Sequence, residues 1–408
     1  MKILWVKSDF VIPADTGGKI RSYNIIRQLA KLHLVTYLSF IDQNYTSQHE
    51  AGMQVCVQEV ISVFKRSEKK YGFGFYLRLF LGLFSSLPYI VHKYHSARIK
   101  RIIGELWKQR RFDILICDFL EMSVNLEKNT VFPKVLFQHN VESAIWDRYY
   151  QVERNWLKRL YFFYERRRMR KYEAFACQRF DRVLAVSQAD KLKLEGEFGI
   201  HDIAVIPTGV DTEYFASRKE KTVPGSLVFT GSMDWLPNQD AISYFCEEIF
   251  PLVKRQVPEA KLWVVGRNPS DRILELSQKN ENIIITGTVE DVRPYMVQAQ
   301  IYIVPLRVGG GTRIKIFEAM AMGLPVISTS IGAEGLDITP DKNIVIGDGA
   351  EDFADGIIEL LRNESKRNKI AEEGRRLVTQ THDWKRVAQI LSRVCEEVIH
   401  SFGKRKEH

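Results

Sequence analysis

Residues 301–328 read IYIVPLRVGGGTRIKIFEAMAMGLPVIS, and their pattern decides the fold. Ile301–Val304 is a short apolar run of the length of a fully buried strand. Gly309, Gly310 and Gly311 follow it, and Thr312 stands where it can cap a helix. The next segment, Ile314–Met322, puts Ile314, Phe317 and Ala321 on one core-facing stripe. Val326–Ser328 is a second strand-like run. Strand, glycine turn, helix and strand make a βαβ unit, which implies a parallel sheet covered on both faces.

The same alternation extends in both directions. Upstream, strands are expected at Leu227–Thr230, Leu262–Val265 and Ile283–Ile285, with a helix from about Asn238. Downstream comes Ile344–Ile346, and helices fill most of 350–400. An earlier series has strands at Ile3–Val6, Leu34–Phe40, Ile114–Cys117, Val135–Phe137, Val183–Val186 and Ile203–Ile206, with helices at Lys19–Leu32 and from Gln188. The turn cluster Pro207-Thr-Gly-Val-Asp211 separates the series, so two Rossmann-like α/β domains stand in tandem.

Composition agrees. The chain has 408 residues, 45% hydrophobic and 27% charged, which suits globular domains and excludes disordered, collagenous and disulfide-scaffold classes. Five cysteines without a CxxC pair fit a reducing cytosol and give no zinc site. The net charge of +9 is uneven. Residues 1–200 carry 33 basic and 20 acidic side chains, against 26 and 30 in residues 201–408. The two domains therefore face different partners.

Two glycine turns stand next to cations. Gly17-Gly18-Lys19-Ile20-Arg21 follows the first strand, and Gly309–Gly311 leads into Arg313 and Lys315. Glycines permit close backbone approach, and a helix N-terminus offers free N–H groups and a positive dipole end to a phosphate. Neither turn is a Walker loop or a GxGxxG fingerprint. The first reads equally as a tight strand-to-helix turn; the second exceeds what a turn requires. Glu318, three residues after Lys315, is either a solvated or Lys315-paired side chain or an acceptor for the two hydroxyls of a ribose. The residues by themselves thus point to a nucleotide diphosphate or similar group in the second domain.

The segment Arg307–Gly335, RVGGGTRIKIFEAMAMGLPVISTSIGAEG, resembles the donor-site segment of glycosyltransferase family 4, of GT-B fold. His139-Asn-Val-Glu142, Ile206–Thr212, Gly231–Asn238 and Val289–Pro294 fall in the corresponding order, so the resemblance spans nearly the whole chain. It is nearest to sugar transferases of bacterial exopolysaccharide and capsule clusters. It implies two Rossmann-like domains with parallel sheets facing across a cleft. Residues 1–207 with 384–408 would form the acceptor domain, and residues 208–383 the donor domain. It also implies retaining, metal-independent transfer of a hexose-type sugar, without a cofactor, from a UDP- or GDP-sugar to a hydroxyl of a glycan or lipid-linked acceptor.

The family's site residues carry over by position. Glu318 matches the second glutamate of the EX7E pattern, the ribose ligand; the first falls at Gly310. The family's basic pair is missing from Gly231-Ser-Met-Asp234, where no Arg or Lys occurs before Asp240. Gly310, Gly311, Thr312, Arg313, Lys315 and Glu318 are therefore the expected donor site, with Arg313 and Lys315 supplying the missing charge. His139, after the strand Val135–Phe137, is the expected catalytic residue near the donor sugar. Glu142 orients it, contacts the acceptor or caps a helix. Gly17 and Gly18 belong to the acceptor or phosphate side, and Asp118 and Glu121 are a weaker alternative there.

Two regions raise the question of a membrane. Gly72–Val91 is apolar but contains Arg78 and Pro88, which argues against a span and leaves a core or surface-lying helix. Residues 154–171 hold eight Lys/Arg against one acid, Glu165, interleaved with Trp156, Leu157, Leu160, Tyr161 and Tyr164. This is an ordinary amphipathic helix, or a surface for anionic lipid presented by Arg154, Lys158, Arg166, Arg167 and Arg168. No nucleic-acid motif accompanies the charge. The expected location is the cytoplasm, at the inner face of the membrane. Two other readings keep the fold: a nucleotide-sugar 2-epimerase, and a non-catalytic membrane-associated relative.

Overall fold

The computed structural model describes residues 1–66, 85–126, 131–153, 155–216, 222–308 and 314–407. The chain divides into two compact units, Met1–Pro207 with Val387–His408, and Thr208–Arg386.

The first unit is built on β1 (Lys2–Lys7), β2 (Leu34–Ile41), β3 (Glu59–Phe64), β4 (Ile114–Asp118), β5 (Lys134–Phe137), β6 (Arg182–Ala185) and β7 (Ile203–Val205). They form one sheet in the order β3-β2-β1-β4-β5-β6-β7, every pairing parallel. Its helices include α1 (Gly17–Leu29), α2 (Ala97–Lys108), α3 (Glu142–Val152), α4 (Trp156–Cys177) and α5 (Gln188–Phe198). Central strands are buried on both faces, so ILICD in β4 reads as an unbroken apolar run until Asp118.

β3 and α2 were not expected from the pattern. Most of β3 is only half-buried at the sheet edge, so it lacks the continuous apolar run that marks the inner strands. α1 begins at Gly17, earlier than expected, because Thr16 caps it by accepting from the Lys19 backbone N–H. Gly17 and Gly18 thus form a first helical turn, and neither has a positive φ.

The second unit repeats the plan with β8 (Ser226–Thr230), β9 (Lys261–Val265), β10 (Ile283–Gly287), β11 (Ile301–Val304), β12 (Val326–Ser328) and β13 (Val345–Ile346), ordered β10-β9-β8-β11-β12-β13 and again all parallel. α6 (Leu236–Tyr244) follows β8, and α7 (Ile314–Ala321) joins β11 to β12. Leu227, Phe229 and Ile303 pack into one core, Val228, Tyr302 and Val304 into another, as the strand period of two requires. α8 (Trp384–Glu407) starts in this unit, where Trp384 lies against Gly209 so closely that no Cβ fits there. From Val387 onward it belongs to the first unit; Ser392 meets His33 at 2.7 Å and Glu397 pairs with Arg182.

Each sheet reverses its strand order once, between β1 and β4 and between β8 and β11. In open parallel sheets, ligands bind beyond the carboxyl ends of the strands at such a switch point. The residues that leave β1, β4, β8 and β11 are therefore the ones to inspect.

Candidate active site

At the first switch point, Lys7 ends β1 and Asp118 ends β4, and the parallel register sets them side by side. Lys7 Nζ lies 3.2 Å from Asp118 Oδ2, and both side chains are buried. The carboxylate also accepts from Trp5 Nε1 at 2.9 Å, Ser22 Oγ at 2.6 Å and His139 Nε2 at 2.6 Å. Burial alone would raise the Asp118 pKa. Lys7, His139 and Ser22 outweigh it and hold the carboxyl well below the usual carboxylate range.

His139 sits two residues beyond β5 and is buried. Burial pushes its pKa down to about 4 against the pull of Asp118, with Arg21 and Lys7 assisting, so the ring is neutral at pH 7. Its partners fix the tautomer: Nε2–H donates to Asp118, and Nδ1 accepts from Arg21 Nη1 at 3.2 Å. Both ring nitrogens are thus engaged within the protein. Arg21, pushed down to about 10 by burial, keeps its charge at pH 7.

Phe119 completes this group with φ 78°, an unusual conformation for an aromatic residue. The turn brings its ring parallel to His139, centroids 4.0 Å apart, and within 4.0 Å of Lys7 Nζ. A Cβ on Gly18 would come within 2.8 Å of that ring, so the second glycine of the pair is needed for packing. Gly17 meets no such neighbour.

Glu142 opens α3 but does not cap it. Glu173 on α4 does, accepting from the backbone N–H groups of Glu142 at 2.8 Å and Ser143 at 2.9 Å. Burial, then Glu121 and Glu173, raises the Glu142 pKa to about 8, and burial raises Glu121 and Glu173 as well. A carboxyl whose folded pKa is raised favours folding at low pH and opposes it as pH climbs from its unfolded value toward the folded one. Glu142→Gln is therefore expected to leave stability unchanged near pH 4. At pH 7–8 it should stabilise the protein by about 3 kcal/mol. Thermal unfolding across this range checks it; an equal or lower melting temperature at pH 8 counts against the shift. A carboxyl kept at a cost in stability is the kind retained for chemistry.

At the second switch point, Gly231 leaves β8 and lies under Lys315, the second residue of α7. Lys315 Nζ is 3.1 Å from Asn238 Oδ1 and 4.2 Å from the centre of the Phe229 ring. A Cβ on Gly231 would sit 2.6 Å from that ammonium. Gly231 has a second close neighbour: its carbonyl occupies the space a Cβ on Gly266 would need. Asn238 Nδ2 donates to Ser232 O at 2.7 Å and so is fixed at both ends of its amide. Glu318 is half-buried on the same helix. Burial raises its pKa to about 7, opposed by Lys315.

The structure thus gathers Lys315, Asn238 and Gly231, with Glu318 one turn along α7. Gly310, Gly311, Thr312 and Arg313 lie outside the described residues, as do Arg154 and most of the apolar stretch 72–91. Sequence reasoning passed over Lys7, Asn238 as a ligand for Lys315, and Arg267. The last follows β9 and reaches Ser232 Oγ at 3.0 Å and Asp234 at 3.4 Å. Its signal was legible as Gly266-Arg267 at a strand end.

On α4 the basic residues are not equivalent. Arg166 pairs with Asp147 at 3.3 Å, and Arg168 with buried Glu165 at 2.9 Å. Lys158 and Arg167 are exposed. Among the described residues no helix is long and apolar enough to cross a membrane, and no group of His, Cys, Asp and Glu is arranged to hold a metal ion.

Comparison with known proteins bears on the family and the fold. Residues 16–214 match the family model described as Glycosyltransferase Family 4, and residues 224–363 match the one described as Glycosyl transferases group 1. A Klebsiella pneumoniae protein described as an uncharacterized 44.6 kDa protein in the cps region is 24% identical, over 95% of this chain and 97% of its own length. The phosphatidyl-myo-inositol mannosyltransferase of Mycobacterium tuberculosis is 28% identical over 50% of this chain and 56% of its own. The chain thus aligns with little more than half of that relative. The solved structure of Anabaena HepE in complex with UDP superposes with a TM-score of 0.67 at 13% identity, over 97% of this chain and all of that one. The two family models cover most of the chain, one on each unit, and the protein belongs to the family 4 glycosyltransferases of GT-B type.

Proposed function

We propose that the protein is a retaining hexosyltransferase that uses a UDP- or GDP-sugar and a lipid-linked or glycan acceptor in polysaccharide or glycolipid biosynthesis. The second unit holds the donor and the first the acceptor. The observation that carries this reading is the Lys315–Asn238–Gly231 arrangement at the second switch point. A cation and a bare backbone turn suit a diphosphate, and Glu318 supplies paired oxygens for a ribose. Gly310, Gly311, Thr312 and Arg313 are proposed to line the same site.

Transfer then needs no free base. His139 has both nitrogens engaged, which suits a fixed wall beside the reacting sugar better than a proton carrier. The leaving phosphate takes the acceptor proton, and attack occurs on the face the phosphate leaves. Glu142, protonated at neutral pH, is proposed to donate a hydrogen bond on the acceptor side, where Gly17 and Gly18 also lie. The relatives support the rest: one acts on phosphatidyl-myo-inositol, one lies in a cps region, and HepE binds UDP. The site of action is proposed to be the inner face of the cytoplasmic membrane.

A thermal-shift screen across UDP, GDP and ADP tests the donor. At a hundred times its Kd, the true nucleotide should stabilise by about 2.7 kcal/mol and the others far less. No response to any of them would overturn the reading. Anomeric analysis of the product decides retention. Conversion of donor sugar without acceptor would instead indicate an epimerase.

A further inference from the structure

We infer that the outer face of α4 is a docking surface for an anionic lipid bilayer. Trp156, Leu160, Tyr164, Arg167 and Lys171 succeed one another at intervals of three or four residues, so they form one stripe about 22 Å long. The opposite side of the helix, carrying Met169, Tyr172 and Ala176, is buried in the first unit. The stripe faces outward. Trp156 is 72% exposed and Leu157 beside it 58%, with Leu160 and Tyr164 each 48%. Arg167 and Lys171 are exposed too, as are Lys158 and Arg159 at the start of the helix.

Two features separate this from an ordinary solvated helix. Large apolar groups cluster in the first half of the exposed face, where water gains nothing from them. The cations continue the same line, so one flat contact engages both kinds. Trp and Tyr prefer the headgroup boundary, aliphatic side chains the acyl region just below, and Lys and Arg the anionic phosphates. The charge complementarity commits the face to a negatively charged membrane. The structure also corrects the sequence-based surface. Arg166 and Arg168 are occupied by Asp147 and Glu165, and their places are taken by Lys171 and the apolar residues. This inference goes beyond the transfer reaction and stands without it.

The test is sedimentation of the full chain with vesicles of phosphatidylcholine alone and with added phosphatidylglycerol. The wild type should sediment with the anionic vesicles, and high salt should weaken this. Arg167→Gln and Lys171→Gln together should lower partitioning about twenty-five-fold, at about fivefold per charge. Trp156→Ser with Leu160→Ser should lower it about tenfold or more. All four positions are exposed, so unchanged melting temperatures certify folding. Equal binding by the variants, or no preference for anionic vesicles, would overturn the proposal. So would a wild-type dimer that Trp156→Ser converts to monomer, since the face would then belong to a second copy. Because the readout is partitioning and not turnover, failure here leaves the transferase reading untouched.

Discussion

Replacing Lys315 by Ala is expected to reduce kcat/KM for the sugar nucleotide by about 10²–10³-fold, the usual consequence of deleting one fixed group that meets developing negative charge. The leaving diphosphate carries that charge, and the loop after β8 supplies no Arg or Lys from Gly231 to Gln239. Lys315 reaches this loop from α7. Asn238, in the first turn of α6 just after this loop, holds the ammonium at 3.1 Å. The proposed donor site therefore carries its charge on the neighbouring helix, with a neutral amide on α6 beside it. A second substitution makes the argument specific. Asn238→Lys in the Lys315→Ala background returns a cation to nearly the same place and should recover a large part of the loss. Asn238→Ala alone leaves the charge but removes this contact to it, so it should raise KM more than it lowers kcat. Steady-state kinetics with varied donor checks all three. Unchanged constants for Lys315→Ala, or no recovery in the double variant, would place the diphosphate elsewhere.

The inner strands were legible because a strand buried on both faces must be a run of apolar residues, and Ile301–Val304 or Ile114–Cys117 admits few other readings. β3 was not, because a half-buried edge strand alternates weakly and resembles a loop. The candidate sites divide in the same way. Glu318 and Lys315 share a helix, so their spacing announced their proximity. Asp118 was visible only as a polar residue at a strand end. Its partners come from β1, α1 and the end of β5, between 21 and 113 residues away. Register between strands is set by packing and by the crossover helices, and no local pattern encodes it. The basic helix shows the converse limit. Charge counting found it, but only Asp147 on α3 shows that Arg166 is already paired, whereas Arg168 and Glu165 stand three residues apart on α4, a spacing the sequence itself displays.

Asp118→Ala is expected to destabilise the first unit by about 3 kcal/mol, because it leaves the buried ammonium of Lys7 with only the half-exposed carboxylate of Asp9, 3.9 Å away, as counter-charge. Asp118→Asn keeps the shape and an acceptor for His139 but not the charge, so it should recover only part of that loss. If the cost is electrostatic, Lys7→Met combined with Asp118→Leu should be much more stable than Asp118→Ala, since an apolar pair replaces both ions. The pH dependence separates the members of the group. His139 is pushed down to about 4 in the folded protein, against about 6.5 in an unfolded chain. As pH falls through that interval, the unfolded chain takes a proton that the folded one refuses, and about 3 kcal/mol of stability is lost. Asp118 acts lower. Its folded pKa is depressed, so its contribution is complete above about pH 4 and disappears as pH falls further. In urea unfolding from pH 7 to 3, wild type should therefore lose stability relative to His139→Gln between pH 6.5 and 4, and both should lose the Asp118 contribution below about pH 4. A wild-type minus His139→Gln difference that stays constant between pH 6.5 and 4.5 would mean that His139 is charged in the folded protein, because the raised carboxyls Glu142, Glu121 and Glu173 act equally in both proteins. Arg21 would then face an imidazolium across 3.2 Å, and the neutral, fixed ring proposed as a wall beside the reacting sugar would not exist.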